Sequence, residues 1–281
     1  MTNLYMIAGE GAGVTYPSIR TIRLADLKYA LARGLDDFCA MPSHLLFISI
    51  IYPVVAFFAA RLAFGYVVLE LIYPLAAGLP LMGLLAAIGL CELSRCRERG
   101  LTMCWRHAFD VFRSSSVAAI VMLAALLLMI FIAWLGAAEA IYRATMGTAA
   151  PASYAEFIRQ VFTTSGGWAL IVLGNCVGLL FAATVLTISV VSIPLLLEGE
   201  VSAATAIRIS VQAVLANPKT MALWGAIVGS VLAISCLLLF VGLAVVIPVL
   251  GHSTWHLYRK LVARRRAPLI LVSPERSRSL G

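Results

Sequence analysis

From Val117 to Leu135 the chain carries no charged residue. A helix rises about 1.5 Å per residue and the hydrocarbon core of a bilayer is about 30 Å thick, so about twenty such residues reach from one side to the other. Lipid offers no hydrogen bonds, so a segment of this kind must be helical. Other stretches repeat the pattern: Leu45 to Ala60, Leu71 to Cys91, and Trp168 to Ile188 with Pro194 as its outer limit. Met221 to Leu261 is too long for one upright helix and is read as two, turning near Phe240 to Gly242. With 62% hydrophobic and 12% charged residues and a mean hydropathy of +0.99, a soluble domain is excluded. The expected fold is all-α: a polytopic membrane bundle of about six transmembrane helices.

Charge orients it. On six spans, 18 of the 21 Lys and Arg residues fall on one side, and Arg61, Arg143 and Arg159 face the other. By the positive-inside rule both termini are expected in the cytoplasm. The first forty residues hold four basic and four acidic residues and no continuous apolar run, so no cleaved signal peptide is expected. Residues 1–23 read as a flexible cytoplasmic tail, 24–262 as one integral membrane domain and 263–281 as a basic cytoplasmic tail. The net charge of +8, set beside apolar spans, points to anionic lipid headgroups and not to nucleic acid. Membrane-protein partners or a homo-oligomer are further expected partners. The six cysteines lack the spacing of a disulfide scaffold and read as reduced thiols.

Amphipathic stripes precede the odd-numbered spans. Leu24, Leu27, Leu31, Leu35 and Phe38 share one helical face, with Asp26, Lys28, Arg33 and Asp37 on others. Leu101, Trp105, Ala108, Phe109 and Phe112 form a second stripe, and Ile207, Val211, Val214 and Leu215 a third. Each is expected to lie along the inner membrane surface. Similar phrases recur in the inward-running spans: Leu79-Pro80-Leu81-Met82, Ile193-Pro194-Leu195-Leu196 and Ile247-Pro248-Val249-Leu250. Together these suggest three units, each an amphipathic helix plus a helical hairpin. Ala137 to Gly167, with an amphipathic piece near Tyr154 to Phe162, reads as the main external loop.

Chemistry is sparse. The third, fourth and fifth spans hold no ionisable residue at mid-depth, and Asn175, Thr184, Thr187, Ser189 and Ser192 read as interhelical hydrogen-bond donors. Gly174 with Gly178 and Gly225 with Gly229 have the GxxxG spacing that lets helices approach closely, and are the expected packing residues, with a dimer interface as the competing reading. No phosphate loop, nucleophile elbow or zinc-protease helix is present, so no enzyme class is supported. His252 and His256, four residues apart in GHSTWHLYRK, share a helix face and can offer two nitrogens to one metal or haem, though such a site needs further ligands. Trp255 and Tyr258 beside them suit an interfacial aromatic belt. No cofactor is called for otherwise.

The stretch Ala77-Gly78-Leu79-Pro80-Leu81-Met82-Gly83 running to Glu92-Leu93-Ser94-Arg95, the Ile193-Pro194-Leu195-Leu196-Leu197 run, Asn217-Pro218 before Trp224-Gly225, and the closing Gly251-His252-x-x-Trp255-His256-x-Tyr258-Arg259 resemble the bacterial predicted integral membrane proteins grouped as domain of unknown function 2189 (DUF2189). The resemblance covers roughly Leu24 to Val262. It implies an inner-membrane protein of a Gram-negative bacterium without an established activity. Some members bear a cytochrome c oxidase label, but the catalytic subunit of such oxidases uses six histidine ligands and this chain has four histidines. The expected function is a non-catalytic scaffold, assembly or regulatory factor. The alternatives are a small-molecule or lipid transporter, and a haem- or metal-binding accessory of a respiratory complex.

Overall fold

The computed structural model describes residues 18–41, 88–101, 116–148, 154–198, 201–237 and 242–263. These are helical almost throughout: α1 (Leu24–Ala40), α2 (helical over 88–98), α3 (Val117–Met146), α4 (Tyr154–Thr163), α5 (Ser165–Ser189), α6 (Ser192–Glu198), α7 (Ala203–Ala216), α8 (Pro218–Leu237) and α9 (Leu243–Leu261). The first expected span, Leu45 to Ala60, lies outside the described residues. So do most of the second span, most of the second amphipathic stripe and the first of the three proline phrases.

Among the described residues, three helical segments are long and apolar enough to cross a membrane: α3, α5 continued through α6 to Glu198, and α8. Their surfaces are apolar and turned outward; Leu179 and Leu180 on α5 are 70% and 68% exposed. In water such faces would be covered, whereas in lipid they are already solvated. The Met221 to Leu261 stretch does divide into two helices, α8 and α9. Pro218 stands at the first position of α8, where a missing N–H costs nothing, directly after the Asn217 cap of α7.

The expected external loop is shorter and more ordered than its sequence suggests. The helix begun at Val117 continues to Met146, with Arg143 Nε donating to Glu139 Oε1 at 2.7 Å one turn earlier. It ends at Gly147, whose φ of 84° suits glycine. Helix α4 then folds back on α5, and its Phe157 ring lies 6.3 Å from Tyr142 of α3. Polar chemistry near Arg143 and Glu139 disguised a helix whose hydrogen bonds are all local.

On the two amphipathic helices described, the face that packs on the protein is offset from the apolar stripe. On α1 the buried residues are Leu27, Ala30, Gly34 and Asp37, while Leu24 and Leu35 are exposed. On α7 they are Ala203, Ala206, Ile209, Ser210 and Ala213, and Leu215 is exposed. Small residues on these faces allow close backbone approach, with Leu27 and Ile209 buried among them, while Leu24, Leu35 and Leu215 face outward. Helix α1 lies along α9, and α7 sits against α5 and α6, where Ser210 Oγ donates to the Thr187 carbonyl at 2.7 Å.

The segment before α1 is held in place. Residues 18–23 run extended, Ile19 bridges Val262 in antiparallel fashion, and Arg20 N donates to the Leu261 carbonyl at 2.8 Å. Asn217 adds a clasp: its Oδ1 accepts from Ile22 N at 2.7 Å and its Nδ2 donates to the Arg20 carbonyl at 3.1 Å. The segment before α1 and the end of α9 thus meet at the α7–α8 corner.

Candidate functional site

Helix α9 has two halves. Leu243 to Leu250 is apolar, with Pro248 inside it, and the following GHSTWHLYRK turns are packed among polar partners from three other helices. Gly251 is the hinge of that packing. A Cβ there would lie 2.5 Å from Leu90 Cδ1 and 2.9 Å from Leu90 Cβ, so only glycine lets α2 come this close. Gly34 does the same for α1, where a Cβ would meet Ser253 Oγ at 2.0 Å and Ser253 N at 2.7 Å.

At the centre is Asp37, only 1% exposed. Its Oδ1 accepts from Arg97 Nη1, and its Oδ2 accepts from Ser94 Oγ at 2.6 Å and stands 2.8 Å from His256 Nε2. Burial alone would favour the neutral acid, but the bonds from His256, Ser94 and Arg97 outweigh it and hold the Asp37 pKa below its ordinary value. An ionised carboxylate only accepts. It follows that His256 carries a proton on Nε2 and that the Ser94 hydroxyl donates to Asp37, with His252 Nδ1 2.8 Å from the same hydroxyl oxygen.

The rest of the motif docks onto other acids. Trp255 Nε1 donates to Glu98 Oε2 at 3.0 Å, and the Tyr258 hydroxyl donates to Glu198 Oε2. Arg259 spans the two, reaching Glu98 Oε1 through Nη2 at 3.1 Å and Glu198 Oε1 through Nη1 at 2.9 Å. Nearby, Arg95 bonds the Leu197 carbonyl at 2.8 Å and Glu92 Oε1, which fixes α2 to the end of α6. Every polar side chain at His252, Trp255, His256, Tyr258 and Arg259 is therefore committed to a residue of α1, α2 or α6.

The two histidines emphasised by the sequence do converge, on Asp37 through Ser94 and directly. Their bonded ring nitrogens face protein donors and acceptors, and among the described residues no three His, Cys, Asp or Glu side chains are placed to hold a metal ion. His44 and His107 lie outside the described residues. Of the glycines singled out, Gly225 approaches the fourth span, its Cβ position being 3.0 Å from Leu186 Cδ2, and Gly178 has Trp134 Nε1 at 3.8 Å. Gly174 and Gly229 have nothing within 4 Å. The hydroxyls of Thr184, Thr187, Ser189 and Ser192 bond the carbonyl four residues back on their own turn, not another helix.

Sequence reading missed Asp37, Ser94, Glu98, Glu198 and Asn217. A signal existed for Asp37: it continues the 27, 30, 34 row of α1, the row that carries Ala30 and Gly34. For Glu98 and Glu198 the partners lie some 160 and 60 residues away, as with Arg259 at separations of 161 and 61.

Residues 72–198 match the family model described as predicted integral membrane protein (DUF2189). No curated protein and no solved structure matches the chain. The matched residues include Ser94, Arg97, Glu98 and Glu198, whereas Asp37 and the GHSTWHLYRK turns that complete the cluster lie outside them.

Proposed function

Taking residues 72–198 as those of a DUF2189 integral membrane protein, we propose that this chain is a non-catalytic scaffold or assembly factor of a bacterial inner membrane, crossing it six times with both termini in the cytoplasm. The distribution of 18 of 21 basic residues supports the orientation. One observation carries the role: the buried polar side chains of α1, α2, α6 and α9 bond one another and so fix a rigid polar layer beside the apolar spans. A rigid layer of that kind is a platform for other proteins, since the side chains at its centre, Asp37, Trp255, His256 and Arg259, are bonded within it and do not depend on a passing substrate.

Purified protein in proteoliposomes should show neither substrate-dependent flux nor turnover across a panel of small metabolites and lipids. Flux abolished by Asp37→Asn would overturn the reading. For the orientation, a Ser277→Cys variant should react with an impermeant maleimide only after the inner membrane is permeabilised, and labelling in intact spheroplasts would refute it.

A lipid or small-molecule transporter is the second reading, favoured by Pro248. Lacking an N–H, Pro248 leaves the Ala244 carbonyl inside α9 without its helical donor, and such carbonyls line cavities in transporters. Lipid scrambling or solute uptake in the same proteoliposomes is its test.

A further inference from the structure

Beside the Asp37 cluster lies a half-open cavity of about 530 Å³, a volume suited to a small ligand or a headgroup. Five permanent cations line it, Arg20, Arg33, Arg97, Arg259 and Lys260, against two carboxylates, Asp37 and Glu98. Both carboxylates are already occupied. Asp37 is held by Arg97, Ser94 and His256, and Glu98 by Trp255 and Arg259.

Three cations therefore remain undercompensated. Arg20 has no ion-pair partner among the described residues. Arg33 and Lys260 reach only Asp36 and Asp26, each at 3.5 Å, and these acids do not line the cavity. At 3.5 Å the exposed Arg33–Asp36 pair and the half-buried Lys260–Asp26 pair are long, so an incoming anion competes with them at small cost. Lys260 is also poised, with its Nζ 4.1 Å from the Tyr29 ring centroid, and Tyr29 presents its phenol to the same space. The backbone beneath these side chains is fixed. Arg20 sits in the segment bridged to Val262 and clasped by Asn217, Arg33 on α1, and Lys260 on the last turn of α9.

We propose that this cavity binds a phosphate-bearing anion, through Arg20, Arg33 and Lys260. Guanidinium groups match the paired oxygens of a phosphate, and the ammonium adds a point charge. The phosphate belongs either to a lipid headgroup or to a soluble phosphorylated molecule, since the chemistry recognised is the same. The pocket does not depend on the scaffold role: absence of flux and absence of anion binding are separate results.

The test uses the full chain purified in detergent and, in parallel, reconstituted into nanodiscs of phosphatidylcholine with phosphatidylglycerol. The probes are inorganic phosphate, read as a rise in thermal unfolding midpoint, and phosphatidylglycerol retained on the protein, read by native mass spectrometry. The variant is Arg20→Gln/Arg33→Gln, both positions being exposed. The control is Lys28→Gln, an exposed α1 cation outside the cavity. Binding of at least one probe, weakened about tenfold in the double variant and unchanged in the control, is expected. Phosphate protection without selective lipid retention identifies a soluble source, and retention without phosphate protection identifies the headgroup. If neither probe binds, if the double variant binds like the parent, or if Lys28→Gln weakens binding equally, the proposal is wrong.

Discussion

Asp37 receives donors from Arg97, Ser94 and His256, and the consequence of removing its charge can be read from that geometry. Asp37→Asn keeps the shape but presents an N–H₂ where a donor already points. It should lower stability by about 2–4 kcal/mol, as expected when a buried charge loses its partner, in denaturant unfolding followed by Trp fluorescence. The pH dependence has a definite sign. Because the folded pKa lies below the ordinary value of 3.8, the stability this group contributes is complete above that value and is lost as pH falls through the lower, folded one. The gap between parent and Asp37→Asn should stay constant from pH 7 to pH 5 and narrow below about pH 4. A gap that instead widened in acid would show that Asp37 is neutral in the folded protein.

Helices α1 and α9 meet through glycine and small residues, and here the sequence was legible in part. Helix α1 itself was plain from its 3.6-residue periodicity, and so was the proline that ends α7 before α8. Which face turned inward was not, because the apolar stripe of Leu24, Leu31 and Leu35 is a stronger pattern than the row of Ala30 and Gly34. In a soluble protein the stronger pattern marks the core; beside a bilayer it does not. The GxxxG pairs attracted notice for the right reason, yet the glycines that let α1 and α2 close on α9 are Gly34 and Gly251, where no second glycine gives the spacing away. Gly34→Ala should destabilise by about 1–3 kcal/mol in the same unfolding assay. Adding Ser253→Ala should not rescue it, since Ser253 N and Cα would still lie at 2.7 and 2.8 Å from the new Cβ. Full rescue would mean that the hydroxyl alone sets the distance between these helices.

At the scale of the molecule, two exposed leucines meet different solvents. Leu180 lies near the middle of the Ser165–Glu198 segment, and Leu24 begins α1 in the polar layer. Leu180→Arg should cost about 2.5–3.5 kcal/mol of membrane insertion, whereas Leu24→Arg should be nearly neutral. Comparing insertion efficiency of the two variants checks this, and equal behaviour would contradict the placement of α5 in lipid. The membrane class and the three spans among the described residues were legible because apolar length is a local property. The polar layer was not, because it joins residues whose separations run from 57 for Ser94 and Asp37 to 219 for His256 and Asp37.

That largest separation orders events in time. Asp37 leaves the ribosome 219 residues ahead of His256. At about 5–20 residues per second the interval is on the order of 10–40 s. During it Asp37, then Glu98 and then Glu198 emerge before the helix that supplies His256 and Arg259, and the apolar spans insert beside an unfinished polar face. Among the described helices the last to be synthesised is the one that closes the polar layer, so a chain cut short before Gly251 would keep α3, α5 and α8 whole and yet stay visibly incomplete to the proteases that patrol the membrane surface.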